Sequence, residues 1–257
     1  RDTDRSRGLG DVYKRQLSSR YEKSPFYSLL NGTWKFYFVD SYKDLPANIT
    51  DPSVSTSDWD DITVPGNWEV QGHGTAIYTN HGYEFKPRNP QPPLLPEANP
   101  VGVYRRDFEV PAGWDGRDIY LHIAGAKSGL YVYVNGKEVG YSEDSKNPAE
   151  FLINKYLQPG KNMLTLKIFR WSTGSYLECQ DFWRLSGIER DVYLWSQPKI
   201  AVNDYRIVST LDDTYKNGIF SLAIDIKNHS DKVKNIDVTY ELLDAKGNVA
   251  ATAENKL

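Results

Sequence analysis

The stretch from Arg170 to Arg190, RWSTGSYLECQDFWRLSGIER, mixes side chains that seldom share a plain β core. Trp171, Tyr176, Phe182 and Trp183 stand beside Glu178, Asp181 and Glu189, with Arg170, Arg184 and Arg190 among them. Flat rings next to carboxylates suit a sugar: a ring face stacks on sugar C–H groups, and a carboxylate accepts hydrogen bonds from hydroxyls. The competing reading is an aromatic corner of a large β core with its charges paired, and composition alone favours that one.

Other reactive residue types give less. Glu143 and Asp144 look like a carboxylate pair, but neighbours in extended chain point to opposite faces, so they read as solvated loop charges rather than acid–base partners. His73, His81, His122 and His229 have no metal-ligand spacing and read as structural or surface residues. A single cysteine, Cys179, excludes an internal disulfide framework and a cysteine-rich zinc site; it reads as a small buried filler. There is no G-x-S-x-G, no P-loop and no dinucleotide fingerprint.

The elements that must position the stretch are strands. Asn31-Gly32 is a turn signal, and the strand after it puts Trp34, Phe36 and Phe38 on one face. DDITVPGNWEV sets a strand against a Pro-Gly turn, with Trp68 expected as a core ring. Strands follow at 103–110, 118–123 and 130–141, where Asn135-Gly136 is the clearest hairpin signal in the chain, and again at 163–169 and 191–195. The connection 142–162 reads as turns. Residues 81–102 carry prolines at 87, 90, 92, 93, 96 and 100, which excludes helix and disfavours a central strand. A stiff excursion across the surface is expected there, with low ordering entropy. Asn99, just before Pro100, is either a turn-former or a side chain held for use.

The length, 257 residues, leaves room for one large or two small domains. Lysines and arginines are scattered, and a net charge of −3 gives no electrostatic footprint for nucleic acid. No apolar run is long enough to cross a membrane. Residues 1–17 lack periodicity and read as a disordered or non-native lead-in. The compartment stays open between cytoplasm and periplasm. After Trp195 tryptophan disappears, and 199–257 reads as three or four strands, with Phe220, Leu222, Ile224 and Ile226 on one face and Ile236, Val238, Tyr240 and Leu242 on another.

Four motifs in order, VPGNWEVQGHGTAIYTN (64–80), PPLLPEANPVGVYRRDF (92–108), GYSEDSKNPAEF (140–151) and RWSTGSYLECQDFWRLSG (170–187), resemble the N-terminal region of family 2 glycoside hydrolases, the bacterial β-galactosidase branch in particular. The resemblance covers roughly 18 to 257. It implies an all-β chain: a jelly-roll (galactose-binding-like) β-sandwich over 18–198, then a partial immunoglobulin-like β-sandwich over 199–257. It implies retaining hydrolysis of terminal β-galactosides by two glutamates, which such hydrolysis needs about 5–5.5 Å apart. Those lie on a (β/α)₈ barrel that has no counterpart here, so no catalytic residue is named and the chain alone is expected to be inactive. In that branch the aspartate of this segment holds a sodium ion and a galactose hydroxyl; Asp181 stands there, with barrel residues as further ligands, and its alternative is an ion pair with Arg184 or Arg170. Cys179 stands where an aspartate is common, and sulfur is no sodium ligand. The Asn of the ANP motif reaches the galactose pocket, which places Asn99 there. Magnesium belongs to the full enzyme, with ligands outside this chain. The implied partners are a β-galactoside, the remaining domains and, at full length, further copies of the chain; nucleic acid and membrane are not among them. A stand-alone carbohydrate-binding module, a β-glucuronidase or β-mannosidase relative, and a non-binding structural sandwich are the alternatives.

Overall fold

Asn135 and Gly136 both adopt positive φ, 52° and 76°, the backbone that a two-residue hairpin with right-handed strand twist requires. The turn joins Gly129–Val134 to Lys137–Ser142, and Asn135 ties it down by donating to the Tyr156 carbonyl at 3.0 Å. Local chemistry of this kind assembles a β-sandwich in the computed structural model, which describes residues 23–80, 82–85, 89–178 and 180–256. The readings of residues 1–17, His81, Pro87 and Cys179 lie outside these. The described residues fall into two compact units divided between Gln197 and Pro198.

In chain order the first unit contains β1 (Tyr27–Leu29), β2 (Gly32–Val39), β3 (Asp60–Val64), β4 (Gly66–Asn67), β5 (Ile77–Thr79), β6 (Val101–Glu109), β7 (Asp118–Ile123), β8 (Ala126–Lys127), β9 (Gly129–Val134), β10 (Lys137–Ser142), β11 (Ala149–Leu152), β12 (Lys161–Phe169), β13 (Phe182–Arg184), β14 (Gly187–Ile188) and β15 (Val192–Gln197). A six-stranded sheet runs β10-β9-β12-β6-β2-β3 and a four-stranded sheet runs β1-β15-β7-β11. Every pairing is antiparallel. Alternation places Trp34 and Phe36 of β2, Leu164 and Leu166 of β12, and Leu121 and Leu194 of the opposite sheet in one core between them. Trp68 is fully buried in that core, as its sequence context suggests. The turn-rich reading of 142–162 is incomplete: β11 lies inside it and extends the four-stranded sheet through Ala149↔Ile123 to Leu152↔Tyr120.

The outer face of the six-stranded sheet is covered by the 40–59 segment, around Val39, Ile49, Trp59, Val101 and Val103. Arg105 fastens it. Its guanidinium donates to the carbonyls of Val54 at 2.7 Å and Ile49 at 2.5 Å, and lies 4.8 Å from the Trp59 ring centroid. Arg105→Ala leaves those carbonyls without their donor and is expected to cost about 2–3 kcal/mol, with faster hydrogen exchange at residues 49–59 before the strands are affected. Exchange mass spectrometry on the variant checks this, and unchanged rates at 49–59 would refute it.

The second unit holds two antiparallel ribbons, β16 (Ile200–Leu211) with β17 (Gly218–Asn228), and β18 (Asp237–Leu243) with β19 (Val249–Lys256). Leu222, Ile224 and Ile226 share one half-buried face, and Ile236, Val238 and Tyr240 another. Each strand has one strand partner among the described residues, so its other edge is open.

Candidate functional site

β12 ends at Phe169, and the chain turns into Arg170, Trp171 and a short 3₁₀ turn, Thr173–Tyr176. Across from it the proline-rich segment leaves β5 and returns at β6. Its described residues form neither helix nor strand. They form a strap held at its start, middle and end. At its end the buried Asn99 grips one backbone unit from both sides: Nδ2 donates to the Trp171 carbonyl at 2.9 Å, and Oδ1 accepts from the Trp171 amide at 3.0 Å. Beside this clamp the Arg170 amide donates to the Pro100 carbonyl at 2.9 Å. In the middle the Tyr176 hydroxyl donates to the Leu94 carbonyl. At its start Tyr83 and Phe85 stack on each other and meet the Tyr176 ring edge-on, with centroids 4.9 and 5.2 Å away.

Under the strap lies a cleft of about 420 Å³ walled by Leu94, Pro96, Asn99, Tyr141, Glu143 and Trp171, among others. Aromatic rings, an amide and a carboxylate converging on a concavity of this size can accept one or two sugar rings. Glu143 corrects its sequence reading. It is no solvated loop charge: it accepts from the Tyr141 hydroxyl at 2.6 Å, from the Gly174 amide at 2.8 Å, and from the Thr173 hydroxyl. Burial pushes its carboxyl up, and these hydrogen bonds outweigh that and hold it below the usual range. Asp144 is exposed, as expected of a loop charge.

Asp181 does not line this cleft. It precedes β13, which pairs with β5 in the register Trp183↔Tyr78. Tyr78 and Trp183 are 56% and 55% exposed and lie 5.6 Å apart, centroid to centroid. The Tyr78 hydroxyl donates to Asp181 Oδ1 at 3.1 Å, and this bond holds the phenol above its ordinary range. No ion pair of Asp181 with Arg170 or Arg184 forms among the described residues; Arg170 faces Glu69 and Glu84 instead. Asp181 therefore presents an exposed carboxylate whose second oxygen has no partner among the described residues, beside two exposed rings. Sequence reasoning missed Tyr78, although it stands in one of the four motifs. As one hard oxygen donor, Asp181 suits an alkali cation that draws its other ligands from elsewhere. No group of three acidic, His or Cys side chains able to hold a metal occurs among the described residues. A slightly larger cleft, about 460 Å³, lies against His122, Tyr193 and Trp195 on the four-stranded sheet and is lined by neither Asn99 nor Asp181.

Residues 27–198 match the family described as "Glycosyl hydrolases family 2, sugar binding domain". The chain belongs to glycoside hydrolase family 2. A β-galactosidase of Priestia megaterium is 41% identical over 88% of this chain and 22% of its own length, and one of Psychromonas ingrahamii is 40% identical over 86% and 21%. The chain thus spans about a fifth of the length of these curated relatives. Among solved structures, a β-glucuronidase of Bacteroides uniformis superposes with a TM-score of 0.69 at 21% identity, covering 90% of this chain and 26% of that one. That likeness bears on the fold, and it places the all-β architecture of this family 2 domain among its relatives.

Proposed function

We propose that this chain is the sugar-binding front of a β-galactosidase, the enzyme class the two curated relatives above are named for. In this reading it supplies no catalytic acid or nucleophile; the two glutamates come from a barrel elsewhere in the enzyme. Its part is to wall the galactose pocket. The strap presents Asn99, and the β5–β13 pair presents Asp181 with Tyr78 and Trp183. Sodium, bound through Asp181 and barrel oxygens, would fix a galactose hydroxyl there. Magnesium and self-association belong to the complete enzyme. The observation that carries the reading is Asp181: an exposed carboxylate hydrogen-bonded by a tyrosine and in no ion pair among the described residues is a group kept available.

Asp181→Ala in the complete enzyme is expected to raise KM for a galactoside about tenfold or more and to blunt sodium activation with it, the scale of one charge-assisted hydrogen bond lost. Steady-state kinetics over a sodium series checks both. A variant with unaltered sodium dependence would remove Asp181 from the site. The exposed Tyr78–Trp183 pair also favours a second reading, a stand-alone carbohydrate-binding module. That reading gains if the 257-residue chain by itself binds free galactosides.

A further inference from the structure

The start of the strap rests on a buried cluster of charges that neither the sandwich nor sugar stacking requires. Glu84, between Tyr83 and Phe85, accepts from Lys127 Nζ at 2.7 Å, and both side chains are only 5% exposed. Its other oxygen faces Arg170 Nε at 3.7 Å, while Arg170 Nη2 lies 3.6 Å from Glu69 Oε1 and donates to the Arg184 carbonyl at 3.1 Å. Glu69 is fixed in turn by accepting the Ser186 amide at 2.8 Å. The buried Arg184 adds a third cation to the two carboxylates, and its Nε and Nη2 have no hydrogen-bond partner among the described residues. Burial drives the Lys127 ammonium down, Glu84 opposes that, and Arg170 and Arg184 add to it.

Such a cluster is a poor general stabiliser, because desolvation consumes most of the Coulomb attraction and an apolar replacement is often as stable. What it gives is direction. Breaking one pair leaves a charge buried without its counter-charge, so the partners tolerate one arrangement. Arg170 is the common point. Its side chain meets the strap's first residues through Glu84, and its amide meets the last through Pro100, next to the Asn99–Trp171 clamp.

We propose that Glu84 is a positioning residue of the galactoside site: paired with Lys127 and Arg170, it latches the start of the strap and so sets where the cleft wall and Asn99 stand. The proposal rests on the functional reading above, since it assigns the strap a substrate to face. Glu84 acts through the strap and touches no reacting atom.

The test is hydrogen exchange on the 257-residue chain, with Glu84→Gln, Glu84→Asp and the double variant Glu84→Gln/Lys127→Met. The double variant removes both members of the pair and keeps the experiment decisive if the single neutral variant fails to fold. A latch predicts exchange about a hundredfold faster at residues 89–99 in the neutral variants, with β6 and β12 unchanged and Glu84→Asp intermediate. Acceleration spread evenly over the strands, or strap exchange equal to the parent in the double variant, would overturn it. In the complete enzyme, with lactose as probe, the double variant is expected to raise KM about tenfold while kcat stays within about twofold, the pattern of a misplaced binding wall. An unchanged KM alongside a loosened strap would also overturn the assignment. If the parent enzyme does not use galactosides at all, the functional reading falls, and the exchange result alone decides whether the latch exists.

Discussion

Trp68→Ala should be the most damaging single truncation in the first unit, at about 3–5 kcal/mol. Trp68 is fully buried, and its ring sits 6.2 Å from Phe36 and 5.7 Å from Phe38, centroid to centroid. No side chain moves into that space without giving up its own packing, so the cavity persists. The same ring explains why position 102 is glycine. A Cβ there would stand 2.4 Å from a Trp68 ring carbon and 2.7 Å from one of Phe36. Gly102→Ala alone is expected to cost about 3 kcal/mol, because neither ring can withdraw. Combined with Trp68→Ala the alanine methyl enters the vacated space, and the double variant is expected to be more stable than the sum of the single effects by about 1–3 kcal/mol. Urea titration of the variants, followed by tryptophan fluorescence, measures this. Strict additivity would mean that the ring and the glycine are not packed as described.

Asn99→Ala should show two effects at once. It strips the partners from both the amide and the carbonyl of Trp171, a residue that is itself buried. Leaving two buried backbone groups unpaired costs about 1–3 kcal/mol each, less where water enters. A loss of about 2–4 kcal/mol is expected, felt first in the strap. The amide is not exhausted by the clamp: one N–H and one lone pair remain, enough to donate to or accept from a sugar hydroxyl at the cleft. In the complete enzyme the variant is therefore expected to raise galactoside KM as well as to lower Tm. Asn99→Asp separates the roles, since it keeps the acceptor for the Trp171 amide and loses the donor for its carbonyl. If either variant lowers Tm and leaves the kinetics untouched, Asn99 is a turn anchor and nothing more.

The parts of this molecule that were legible in the sequence are those that leave a local trace. The Asn135-Gly136 hairpin, the alternation of Trp34 and Phe36, and the long strands β6 and β12 each announce themselves within ten residues or so. β11 did not, because Ala149–Leu152 is short, follows Asn147-Pro148, and owes its strand to pairing with β7 rather than to pattern. The two-residue strands β8 and β14 carry no periodicity at all. At the site, the family resemblance pointed to Asp181 and Asn99; the fold puts Asn99 in a buried clamp on Trp171 and Asp181 at an exposed strand edge beside Tyr78. The residues that do the holding were invisible. Glu84 meets Lys127 across 43 positions, and Tyr78 meets Asp181 across 103. Glu143 read as a loop charge because its donors, Thr173 and Gly174, arrive from thirty or so residues away. Long-range pairing of polar groups has no sequence period, so only the assembled fold displays it.

The central claim, that this chain forms one wall of a galactoside site, is tested most directly by a crystal structure of the complete enzyme with a bound, unreacted galactoside. The account predicts a galactose hydroxyl within hydrogen-bond distance, about 3 Å, of the Asp181 carboxylate or the Asn99 amide, with the strap closed over the sugar. A galactoside held entirely by residues of other domains, with both groups out of reach, would contradict it.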